Sequence, residues 1–340
     1  MTTRVALVRG ARLACCVGLI ALAAATAGCA DSGSSAGQTS TAESGGSTST
    51  SMSTSTSTGH GGAGAGGGAG GGACPSCSDP ETPGTLANAA ITEASGIVAS
   101  KLHPGDFYVH NDSGDTARFF AIDGAGADLG AYDVTGATAI DWEDVTRGAC
   151  ADATKSCLFL ADIGDNSLAR TEYVVYRVEE PAALAPGTHA VTADALRFTY
   201  PDGAHNAEAI SFDPNTGALV IITKNANVSR IYAISPPFDA TRTVTATLLG
   251  TASVPDILPL VTASDISQDG SQILVRTYAS VWRYPRTNGE PIETALAKTP
   301  CLLSTPTESQ GEAIAWKLDA AGFVTVSEGV APELHAVSCR

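Results

Sequence analysis

Glu143-Asp144-Val145 running into Leu158-Phe159-Leu160-Ala161-Asp162, and Glu312-Ala313-Ile314 running into Phe323-Val324-Thr325-Val326-Ser327-Glu328, are copies of one pattern. A polar residue, a small or acidic one and a β-branched one open a strand. After a turn, an apolar run closes on a polar group. The pattern recurs as Ser95-Gly96-Ile97 into Phe107-Tyr108-Val109-His110-Asn111-Asp112, as Glu208-Ala209-Ile210 into Leu219-Val220-Ile221-Ile222-Thr223-Lys224, and as Ser264-Asp265-Ile266 into Ile273-Leu274-Val275-Arg276-Thr277-Tyr278. Further strand-like runs follow in each unit, such as Arg118 to Ile122 and Tyr173 to Val178, with turn signals such as Asp213-Pro214-Asn215-Thr216-Gly217 between them. A helical period is missing throughout this region.

Antiparallel strands repeated in fours predict an all-β chain folded as a β-propeller of five blades, with room for a degenerate sixth between Pro181 and Pro201. A β-sandwich explains the turns equally well but not the recurring triplet. The last unit lacks an outer strand, which Gly84 to Ala90 can supply to close the ring.

Outward from this core, composition changes sharply. Residues 30–73 are almost entirely Ser, Thr, Gly and Ala, a composition that cannot bury a core. The predicted organisation is an export signal over 1–28, a disordered linker over 29–82 and the propeller over 83–340. Arg4, Arg9 and Arg12 precede an apolar run from Leu13 to Ala27 that is short for a membrane span. Thr26-Ala27-Gly28-Cys29 resembles the lipobox of bacterial lipoproteins, although Thr26 departs from the usual leucine. That resemblance implies acylation of Cys29 and a lipid-anchored, extracytoplasmic domain on a polar tether.

The formal net charge is −16, which argues against nucleic acid and anionic lipid surfaces as partners. Six cysteines remain outside the signal and lipobox, an even number suited to disulfides in an oxidising compartment. Cys150 and Cys157 flank a polar hairpin loop and predict a bridge. Cys74 and Cys77 predict either a local bridge or bonds to Cys301 and Cys339. Nothing in the sequence calls for a second copy of the chain.

In a propeller the first strand of each blade lines the central channel, so Ser95, Glu143, Glu208, Ser264 and Glu312 are expected to converge near the axis. Carboxylates crowded in a channel must raise their pKa, pair with a base or bind a cation. Hard oxygen donors without His or Cys favour calcium. The alternative is that these residues hydrogen-bond neighbouring strands and pin blade to blade. The residues closing the second strands are expected on the same face: Asp112, Asp162, Lys224, Arg276 with Tyr278, and Glu328. Lys224 and Arg276 suit an anionic, phosphate-bearing ligand held together with Asp162 and Tyr278. Asp112 or Glu328 suits a general base acting on water.

The order Ser, Glu, Glu, Ser, Glu around five units resembles the calcium-activated nucleotidases, or soluble apyrases. That resemblance implies calcium on the axis held by Ser95, Glu143, Glu208, Ser264 and Glu312, and hydrolysis of a phosphoester or phosphoanhydride. This chain supplies fewer basic residues at the mouth than those enzymes do. His110-Asn111-Asp112-Ser113-Gly114-Asp115, Asp141-Trp142-Glu143-Asp144 and Asp162-Ile163-Gly164-Asp165-Asn166 also look like segments of bacterial phytase-like and esterase-like propeller lipoproteins. The competing function is a non-catalytic ligand- or protein-binding module with a structural ion. No Gly-x-Ser-x-Gly, P-loop or Rossmann motif is present.

Overall fold

The computed structural model describes residues 74–340. The expected signal over 1–28, Cys29 and the expected linker up to residue 73 lie outside the described residues. Within them the protein is all-β with one short helix.

The first strand, β1 (Glu81–Thr85), is followed by β2 (Ala94–Ala99), β3 (Phe107–Asn111), β4 (Arg118–Ile122) and β5 (Asp128–Thr135). The next run is β6 (Trp142–Ala149), β7 (Ser156–Asp162), β8 (Tyr173–Glu179) and β9 (Thr188–Thr199). Then come β10 (Ala207–Phe212), β11 (Leu219–Thr223), β12 (Ser229–Ile234), the two-residue β13 (Val244–Thr245) and β14 (Thr247–Ala252). The last runs are β15 (Val261–Ile266), β16 (Gln272–Thr277), β17 (Val281–Pro285), α1 (Ile292–Leu296) and β18 (Cys301–Leu302), then β19 (Gly311–Trp316), β20 (Gly322–Ser327) and β21 (Glu333–Ser338).

Three sheets have four strands each: β10-β11-β12-β14, β15-β16-β17-β18 and β19-β20-β21-β1. In the larger sheet, the antiparallel runs β2 to β5 and β6 to β9 are joined edge to edge by parallel pairing of β5 with β9. The segment from Pro181 to Pro201 therefore contributes a single long strand, β9, in place of further hairpins. The first strands of the runs, β2, β6, β10, β15 and β19, pack side by side, and β19 returns to β2.

The core lies between neighbouring runs. One apolar cluster joins Ile97 and Val109 to Ala313 and Val324, a second joins Tyr108 and Phe119 to Leu158 and Val174, and a third joins Phe159 and Val175 to Ile210 and Ile221. Two more join Val220 and Ile222 to Val275 and Tyr284, and Leu274 and Val281 to Ile314 and Phe323. Each central strand is thus covered on both faces. That is why β3, β7, β11 and β20 read as nearly unbroken apolar runs with no alternation of polar and apolar residues.

The two ends of the described chain meet. β1 pairs antiparallel with β21, and Ser76 and Arg340 exchange backbone hydrogen bonds. The closing strand is Glu81–Thr85, shifted from the expected Gly84 to Ala90 because Leu86 turns into the core and Asn88 to Ile91 form a turn. Residues 74–82, expected in the linker, belong to the fold: Cys74 bonds Cys301 and Cys77 bonds Cys339, resolving the open pairings, and Cys150 bonds Cys157 as its hairpin predicts.

Candidate metal centre

Each of the five first strands carries a register shift at its second residue. The shifts fall between Ala94 and Gly96, Trp142 and Asp144, Ala207 and Ala209, Val261 and Ala263, and Gly311 and Ala313. The residues at the shifts are Ser95, Glu143, Glu208, Thr262 and Glu312. A bulge at a strand start re-aims its side chain and is common beside functional sites. Register therefore corrects the fourth expected position: Thr262, not Ser264, is equivalent to the glutamates. Ser264 lies two residues further along, paired with Val275 and in the register of Ile97, Val145, Ile210 and Ile314, and its hydroxyl is 2.6 Å from that of Ser211.

The hydroxyl residues at the shifts act as pins between runs. Ser95 donates to the carbonyl of Glu143, and Thr262 donates to the carbonyl of Gly311 at 2.9 Å. Asp144 does the same with charge, accepting from the backbone N–H groups of Ile210 at 3.0 Å and Ser264 at 3.3 Å. The pinning role thus belongs to these residues, whereas the glutamates converge.

Glu143, Glu208 and Glu312 are each 3–4% exposed. Burial first, then the field of Glu208, Asp112 and Asp141, pushes Glu143 well above the ordinary carboxylate range. Burial raises Glu208 to about 7 against the opposing pull of Lys224. Burial and the charge of Glu208 raise Glu312 to about 8. One oxygen each from Asp112, Asp141 and Glu143 lie within 4.8 Å of one another. Burial raises Asp112 to about 6, with Asp141 and Glu93 adding to it, and raises Asp141 and Glu328 as well.

The one ammonium in the cluster is Lys224. It pairs with Glu208, bonds the Tyr278 hydroxyl and stands 4.6 Å from the centre of the Tyr278 ring. Burial opposes its charge, but Glu208 and Glu312 outweigh burial and hold it protonated. One cation against six carboxylates, Asp112, Asp141, Glu143, Glu208, Glu312 and Glu328, leaves the site strongly acidic. A buried oxygen of Glu312, Oε2, has no hydrogen-bond partner. A dry, unpaired carboxylate oxygen is costly unless a cation or proton reaches it.

The second expected ring divides by register. Asp112, Lys224, Tyr278 and Glu328 directly follow β3, β11, β16 and β20, and together form the half-buried rim. Asp162 and Arg276 do not join them. Asp162 is the last residue of β7, equivalent to Asn111, Thr223, Thr277 and Ser327. Its fully buried carboxylate accepts from the backbone of Ile140 and Asp141 and from Arg170 at 2.7 Å. Asn111 and Ser327 likewise anchor the backbone just before β2 and β19. Arg276 lies one pair deeper, 1% exposed, salt-bridged to Glu308 and donating to the carbonyl of Ala313 at 2.7 Å. Neither side chain is available to a ligand, because an interior position demands a local partner for each charge.

Two features of the centre were not singled out from sequence. Asp141 stands two residues before Glu143, as Asn206 does before Glu208 and Gln310 before Glu312. Asn206 and Gln310 donate weakly to those glutamates, at 3.4 and 3.3 Å. The period-two recurrence of a polar residue before each glutamate was the available signal. Gly164 is the second feature: a Cβ there would stand 2.0 Å from Glu143 Oε1 and 2.4 Å from Asp141 Oδ2. A side chain there would have to push both carboxylates aside. No family model and no curated protein matches this chain.

Proposed function

We propose that the protein is a tethered, extracytoplasmic five-bladed β-propeller whose axial carboxylates bind calcium. The blades are the four-stranded runs, with β1 completing the last beside β21, and the cyclic packing of β2, β6, β10, β15 and β19 supports this architecture. The observation that carries the metal assignment is the convergence of Asp112, Asp141 and Glu143, all hard oxygen donors. Three disulfides support an oxidising compartment, and the Cys29 lipobox with its polar linker supports anchorage of a single copy to a membrane.

The function we favour is binding, with calcium rigidifying the mouth that presents Lys224 and Tyr278 to a ligand. Hydrolysis of a phosphorylated ligand is the second function, favoured by one observation: Asp112, raised to about 6 at the rim, is suited to take a proton from water near neutral pH. Calorimetric titration with calcium chloride at neutral pH should show saturable binding that Glu143→Gln with Glu208→Gln removes. Absence of binding heat in the unaltered protein, or equal binding by the double variant, would reject the metal. Turnover of p-nitrophenyl phosphate in calcium, lost in Asp112→Asn, separates hydrolase from binding module.

Gly164→Ala offers a milder probe. Its methyl group forces Asp141 and Glu143 apart, so calcium affinity is expected to fall about ten-fold or more with the circular dichroism spectrum unchanged. Calorimetry of that variant would show the effect, and an unaltered affinity would mean that these two side chains do not share an ion.

A further inference from the structure

The far end of the same axis carries the opposite charge. Strands β2, β6, β10, β15 and β19 end around a cavity of about 230 Å³. Arg147 on its wall is four residues beyond Glu143 along β6, roughly 13 Å at ~3.3 Å per residue, so this mouth is distinct from the carboxylate centre.

Lys101, Arg147, Lys155 and Lys317 line it. Lys155 is engaged by Glu179 at 2.8 Å, but among the described residues no carboxylate lies within salt-bridge distance of Lys101, Arg147 or Lys317. Arg147 is oriented by the carbonyl of Ala99, to which its Nε donates at 2.9 Å. The acid on the wall is Asp265, whose oxygens accept the backbone N–H groups of Ile266 and Trp316, each at 2.8 Å. In a chain of net charge −16, such a concentration of unpaired cations attracts anions against the overall field.

Trp316, 4% exposed, forms part of the wall. The cavity also shares Ala99, Lys317 and Leu318 with a neighbouring groove of about 740 Å³ walled in part by Phe107, Val324 and Pro83. Charged pocket and apolar groove are therefore contiguous. The Cys150–Cys157 bridge pins the hairpin whose loop holds Ala153 and Lys155 over the rim.

We propose that this mouth binds a small organic oxyanion of the phosphate- or sulfate-monoester class, its charged group among Lys101, Arg147 and Lys317 and its apolar part against Leu318. The site uses no residue of the carboxylate centre, so it stands or falls separately from calcium binding.

Calorimetric titration of the full-length protein with phenyl phosphate at low ionic strength tests it. Saturable binding is expected, weaker for inorganic phosphate, absent for phenol and reduced by added salt. The double variant Lys101→Gln with Lys317→Gln, at positions exposed enough to leave folding intact, should bind about ten-fold more weakly. Arg242→Gln, elsewhere on the surface, should bind as the unaltered protein does. No saturable binding, phenol binding as tightly as phenyl phosphate, or a double variant that binds normally would each overturn the proposal. A loss in Lys224→Gln with the double variant unaffected would do so too, placing the anion at the other mouth.

Discussion

Chelating calcium near pH 8 is expected to lower the thermal midpoint by about 5 to 10 °C, whereas the same treatment near pH 5 changes it little. Linkage sets the size: an ion present at about a hundred times its dissociation constant stabilises by ~2.7 kcal/mol. For a domain of this size each kcal/mol shifts the midpoint by about 2–4 °C. The sign comes from the carboxylates. Glu208 and Glu312 stand at about 7 and about 8 in the folded protein, above their ordinary 4.5, and Asp112 at about 6, above 3.8. The folded state keeps protons that the unfolded chain releases, so the metal-free protein loses stability as pH rises from the ordinary carboxylate range through these raised values. Protons and calcium compete for the same oxygens, so calcium restores stability at the alkaline end, whereas at the acid end bound protons keep it from the site. Scanning calorimetry with and without chelator across this interval decides the matter. Equal shifts at both ends, or metal-free stability that climbs with pH, would exclude the carboxylate cluster as the ion's site.

Replacing Cys77 and Cys339 by serine is expected to cost more than replacing Cys150 and Cys157. The first bridge spans 262 residues and the second 7. Because the Cys74–Cys301 bridge remains, the first bridge closes an effective loop of roughly 40 residues, to which loop-closure entropy assigns about 4 kcal/mol against about 2 kcal/mol for the short one. The long bridge also secures β1 against β21, and losing that pairing would bare the edge of β21 to other chains. Urea denaturation of both double variants, with light scattering to detect association, measures the difference. Matching urea midpoints would mean that pairing of β1 with β21 closes the fold without covalent help.

Much of the architecture was legible because it rests on short-range patterns. The five units announced themselves through a triplet before an apolar run, and strands such as β11 had to be covered on both faces because they carried no polar alternation. The Cys150–Cys157 bridge followed from a hairpin a few residues long. What escaped was register. Thr262 and Ser264 are both hydroxyl residues near the start of β15, and only the bulge between Val261 and Ala263 says which one stands level with Glu143. The same ambiguity put Asp162 and Arg276 on the rim, whereas the ladder places them one and two residues before it.

Gly164 and Trp316 show the other limit. A glycine in a turn and a tryptophan at a strand end are unremarkable in sequence, and each acquires meaning from what another run brings beside it. Asp141 lies between these cases: its two-residue spacing from Glu143 was readable, but its closeness to Asp112 was not.

By itself the chain determined that it would form similar β units in series, that its acids would recur at their strand starts, and that its cysteines would be oxidised, since each follows from local pattern and composition. Tertiary structure alone decided which oxygens meet, which charges are spent on backbone, and that the first strands start among carboxylates and end beside Lys101, Arg147 and Lys317. Those outcomes depend on distances between residues far apart in sequence, which bulges and strand pairing set and local propensity does not encode.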